Sequence, residues 1–134
     1  MKQKVKIFQL QHRVFDSEGN IIPRDKLKNK IVCIGTVIVP KNKKDFVEDV
    51  IWDLFNWTCW NWGKLNGKSW IYGLRNGIRR DGFRMFPTRK AKGFCNSDIF
   101  FKLGDKWMIA KSFGWGEANS YEEAVNIVIE QQRF

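Results

Sequence analysis

Between Arg75 and Asn96 the chain sets Arg75, Asn76, Arg79, Arg80, Arg84 and Arg89 among Phe83, Phe86 and Asn96, with Lys90 and Lys92 interspersed. This is binding chemistry for a phosphate-bearing ligand. A planar guanidinium forks onto phosphate oxygens or a base edge, whereas a surface that is merely solvated can use Lys equally well. Phe rings stack on bases, and Asn side chains with Ser97 add neutral groups able to read a base or a ribose. The competing reading is a solvated basic loop.

Catalytic chemistry finds little to work with. The single histidine, His12, sits in a predicted strand beside Arg13, and no Ser, Cys or Asp near it forms a recognisable nucleophile pattern. A triad of Cys59 or Cys95 with His12 and a distant Asp would have to assemble in space. One His and three dispersed cysteines, Cys33, Cys59 and Cys95, form no spaced metal-ligand set and no disulfide framework. Gly63-x-x-x-Gly67-Lys68-Ser69 is one residue short of a phosphate-binding P-loop and follows a Trp-rich stretch, not a strand. No catalytic residue, metal or cofactor is therefore expected.

Charge and ring content reinforce the binding reading. The 134 residues carry a formal net charge of +10, which calls for an anionic partner. The excess is concentrated: Lys64 to Phe113 holds twelve Lys or Arg against three Asp. A small nucleotide suits Arg, Asn and a stacking ring gathered in one pocket; single-stranded nucleic acid suits charge spread along a groove, with Lys41, Lys43 and Lys44 as further phosphate contacts. Aromatic residues make up 15% of the chain. The stretch Trp57, Trp60 and Trp62 reads either as a lid over the core or as a ring platform for a ligand or a partner chain, and with Trp115 it is a candidate surface for another subunit, so inhibition of a host nuclease by protein binding is a third class. The absence of an apolar membrane-length run and of a signal-peptide pattern at Met1-Lys2-Gln3-Lys4 predicts a cytoplasmic protein with no membrane partner.

The elements that must position these groups follow from periodicity. Lys4 to Phe15 alternates as a half-buried strand, and Asp16 to Asn20 reads as a turn. Lys30 to Val39 is a near-continuous β-branched run, suiting a central strand buried on both faces, with Gly35 allowing a bulge or close backbone approach. Asp45 to Phe55 has the spacing of an amphipathic helix, and Ser69 to Leu74 that of a short strand. Asn76-Gly77 and Asp81-Gly82 predict a loop or tight hairpin over Arg75 to Phe86. Ile99 to Leu103 and Trp107 to Lys111 flank Gly104-Asp105, a two-residue hairpin signal. Ser120 and Glu123 form a capping box opening a helix to about Gln131, with Tyr121, Ala124, Val125 and Val128 inward. The order predicts one α+β domain over residues 1–134, a mostly antiparallel sheet with two amphipathic helices packed on one face. The opposite face would then need a lid, a ligand or another subunit, which predicts a homo-oligomer.

The Arg-rich loop with Phe86 and Asn96, set in a small Lys/Asn-rich chain, resembles the phage Thoeris anti-defence proteins. Those are nucleotide sponges that capture cyclic ADP-ribose-type immune signals without cleaving them. The resemblance covers about Arg75 to Asn96. It implies that Phe86 stacks on adenine, that Asn96 bonds the base or ribose, and that Arg75, Arg79, Arg80 or Arg84 holds the pyrophosphate. The expectation is a non-enzymatic protein that sequesters a phosphate-bearing small nucleotide. Its alternative is a single-stranded nucleic-acid binder or a nuclease inhibitor.

Overall fold

A computed structural model describes residues 3–11, 15–40, 47–51, 78–80, 82–87, 99–111 and 114–131. The fold is α+β, and every described strand pairing is antiparallel. The chain divides into two compact units: Met1–Lys6 with Cys33–Lys92, and Ile7–Val32 with Gly93–Phe134. Strands β1 (Gln3–Leu10) and β2 (Ile31–Val39) supply residues to both.

In the first unit, β3 (Ile78–Arg80) and β4 (Phe83–Pro87) form a hairpin, and β4 pairs onward with β2. The hairpin forms because Gly82 adopts φ +86 at the turn, a conformation side chains with a Cβ resist. Strand β2 is β-branched except at Cys33 and Gly35 and has no exposed residue, as a flanked strand requires. Residues 47–51 are helical (α2), with Val47 and Ile51 buried and Asp49 exposed, so the described part of the amphipathic helix expected over Asp45 to Phe55 has the expected polarity. The strand expected over Ser69 to Leu74 lies outside the described residues.

In the second unit, β1 pairs with β5 (Ile99–Leu103), β5 with β6 (Lys106–Ala110), and β6 with β7 (Trp115–Ala118). The two-residue turn Gly104-Asp105 joins β5 to β6 with Gly104 at φ +62, which matches the hairpin type that wants Gly first. Helix α3 (Tyr121–Gln131) lays Ala124, Val125, Val128 and Ile129 into a core with Leu10, Phe100, Ile109 and Ala118. This helix packs on β5, β6 and β7. The short helix α1 (Arg24–Lys28), for which the residue pattern carried no expectation, buries Leu27 in the same core.

The start of α3 is held by side-chain bonds. Glu123 N–H donates to Ser120 Oγ at 3.1 Å, and Glu123 Oε2 accepts the Asn119 N–H at 3.2 Å. The reciprocal half of the box thus lands one residue earlier than the usual pattern, which returns to the cap residue itself. Ser120→Ala is expected to lower stability by about 1 kcal/mol. Urea unfolding followed by far-UV circular dichroism measures it; an unchanged midpoint would show that the cap bond contributes nothing.

Tyr121 keeps 41% of its surface exposed, yet its ring meets those of Phe8, Phe100 and Trp107, so it faces inward as expected. On the second sheet face Ile7, Ile99 and Phe101, which share it by strand alternation, are fully buried within one chain. No described helix is long and apolar enough to cross a membrane.

Candidate functional site

Strand β4 sorts the central residues of the basic segment by the pleat. Phe83 and Met85 are each 1% exposed, while the alternating Arg84 and Phe86 are half-buried on the other face. Phe83, expected at the ligand site, is therefore a core residue. The Arg84 guanidinium carbon stands 4.8 Å from the centroid of the Phe86 ring, a cation–π pair of the kind worth about 0.5–1 kcal/mol at accessible sites. On β2, Ile38 lies opposite Arg84 and Thr36 opposite Phe86.

Register adds a second cation. Arg79 of β3 pairs with Arg84, and Arg80 with Phe83. A guanidinium stacked on a ring can fork onto phosphate through its in-plane N–H groups. Arg75, Asn76, Arg89 and Asn96 lie outside the described residues, as do His12, Cys59, Cys95, Trp57, Trp60 and Trp62. Trp115 is half-buried with its ring edge-on to Phe101 at 5.3 Å, so the structure gives it a neighbour in its own sheet.

Sequence reasoning missed two features of the second unit. One is a ring cluster. Phe8 stacks on Phe100 at 5.5 Å, and Tyr121 meets Trp107 at 5.4 Å and Phe8 at 5.7 Å. Strand alternation could have paired Phe8 with Phe100, but Tyr121 arrives from a helix distant in sequence. The other is a cleft of about 280 Å³ lined by Asp16, Ile21, Ile22, Pro23, Lys26 and Lys30. Its local signals were the turn acid Asp16 and the helix-opening Pro23.

Burial among these rings, with the Glu122 carboxylate beside it, raises the Tyr121 phenol above its ordinary 10.0. The folded state then holds this proton more tightly than the unfolded state. Stability is accordingly unaffected below about pH 10 and falls as pH rises through and beyond it. Absorbance titration near 295 nm is expected to show a phenol ionising above 10, moving down in Glu122→Gln. An unmoved titration in that variant would remove the carboxylate as a cause.

No family of known proteins matches the chain, and neither does any curated protein or solved structure.

Proposed function

We propose that the protein is a non-enzymatic binder that sequesters a phosphate-bearing small nucleotide on the outward face of β4. Arg84 and Arg79 take the phosphates, and Phe86 takes the base. The observation that carries this reading is the Arg84–Phe86 stack with Arg79 in register beside it. A ring and a cation stacked together, with a second Arg at the opposed register position, are the minimal kit for gripping a nucleotide. Arg75, Asn76, Arg89 and Asn96 adjoin this hairpin in sequence and are the natural extensions of the site, whereas Arg80 sits opposite Phe83, at a register position of the other face. The resemblance to Thoeris anti-defence proteins makes cyclic ADP-ribose-type signals the first ligands to try, with the cytoplasm as the place of action.

Tryptophan fluorescence tests the reading. Seven tryptophans provide the signal. The protein is titrated with a panel of cyclic ADP-ribose isomers and cyclic dinucleotides beside a short single-stranded oligonucleotide, at low and physiological salt. The expected result is saturable quenching by one small nucleotide that persists in salt. Binding of the oligonucleotide alone, falling by roughly 0.7 log unit per log unit of salt for each phosphate contact, would replace the proposal with nucleic-acid binding. Silence throughout would reject it in favour of a protein target.

A further inference from the structure

The second unit carries a surface that the nucleotide reading does not use. Phe15 and Ile21 pair across an isolated bridge, closed by a turn in which Gly19 takes φ +85. They are 46% and 55% exposed, and with Tyr121 they are the large apolar side chains that stand exposed among the described residues. Ile21 continues into the cleft formed with Ile22, Pro23, Lys26 and Lys30. An apolar wall that opens to water beside two cations is amphipathic by construction.

The cations of this segment fall into two classes. Arg24 pairs with Glu130 at 3.2 Å and Lys28 with Glu122, both on α3. Lys26 and Lys30 have no side-chain partner among the described residues, and both line the cleft. Their backbones are nevertheless fixed: Lys26 N–H donates to Pro23 O at 3.0 Å, and Lys30 O accepts the Gln11 N–H at 2.9 Å. Asp16, the acid on the lining, has Oδ1 engaged by the N–H groups of Glu18 and Asn20, each at 2.9 Å. The charge left for a ligand is positive.

We propose that this cleft binds an acidic peptide segment, seating one large apolar side chain against Ile21, Ile22 and Pro23 while neighbouring carboxylates meet Lys26 and Lys30. Size favours a peptide over a free metabolite. A volume of about 280 Å³ lies below the roughly 300–1,000 Å³ of pockets that enclose a drug-sized ligand, so the cleft takes one or two side chains of something longer. The Phe15–Ile21 knuckle extends the apolar contact beyond its rim. Two lysines on a fixed backbone speed encounter with an acidic chain.

Fluorescence anisotropy of the full chain with fluorescein-labelled Asp-Glu-Phe-Leu-Asp-Glu tests this directly, beside two control peptides in which either the acids or the apolar pair are replaced by Ser. The expected result is saturable binding of the first peptide alone, weakened at least tenfold by Lys26→Glu and by Ile21→Ser and unchanged by Lys102→Glu on the same unit. Lys26, Ile21 and Lys102 are all exposed, so circular dichroism should register no loss of fold in any of the three. Absence of binding overturns the proposal. So does equal binding of the peptide lacking its apolar pair, or equal weakening by Lys102→Glu, because either means diffuse attraction to a basic surface. None of these outcomes bears on the nucleotide face of β4.

Discussion

Phe100→Ala is expected to lower the unfolding free energy by about 3–5 kcal/mol, the range for emptying a buried aromatic site. The position is severe for several reasons. Phe100 is fully buried, pairs with Phe8 on one side and Ile109 on the other, and packs in the core that receives α3. Its ring touches those of Phe8, Trp107 and Tyr121 at 5.5, 5.9 and 5.7 Å. Those neighbours belong to three different elements held by their own backbone bonds, so they cannot all collapse into the space left behind. Domains are stable by only about 5–15 kcal/mol in total, which makes the change a large share of the whole. Urea unfolding of the variant measures the loss, with Lys102→Ala as an exposed control expected to stay within about 0.5 kcal/mol. A loss under about 1 kcal/mol for Phe100→Ala would mean that this ring is not packed as described.

The same residues explain what was legible in the sequence. The β5–β6 hairpin could be read because Gly104-Asp105 demands a positive φ and strand alternation runs up to it on both sides. Helix α3 could be read because Ser120 and Glu123 mark its start locally. Helix α1 could not. Its five residues are too few for propensity to decide, and what ties them down is Leu27 buried in the core beneath α3, a contact made only in the tertiary fold. The ring cluster was hidden for the same reason, since Tyr121 and Phe8 meet only through tertiary packing.

The candidate site was legible in composition but not in direction. Counting rings and cations between Arg75 and Asn96 treats Phe83 and Phe86 alike. Once Gly82 turns the chain into a hairpin, however, the two-residue period of β4 must send odd and even residues to opposite faces. Phe83 and Met85 go into the core, and Arg84 and Phe86 come out together. The expectation of an oligomer rested on a different assumption. It assumed a face left open by helices on one side, and folding of a single chain already buries Ile7, Ile99 and Phe101.

The division of labour on β4 leads to the second large effect. Arg84→Ala and Phe86→Ala are each expected to weaken the nucleotide identified by fluorescence at least tenfold. A hydrogen bond to a charged group contributes about 1.5–3 kcal/mol, and stacking a base on a ring about 1–3 kcal/mol; since about 1.4 kcal/mol is one decade of affinity, either loss should be easily measured. The conservative variants separate the two roles. Arg84→Lys keeps the charge but loses the planar fork, and so should recover only part of the affinity; Phe86→Leu keeps apolar bulk but loses the stacking face, and should recover little. Because the guanidinium rests on the ring, each single change also disturbs the partner, and the double variant should lose less than the two single losses combined. Phe83→Leu provides the internal contrast. Lying inside the core, it should lower the thermal midpoint while leaving the dissociation constant near wild type. Wild-type affinity in both Arg84→Ala and Phe86→Ala would end the assignment of this face, whatever else the protein binds.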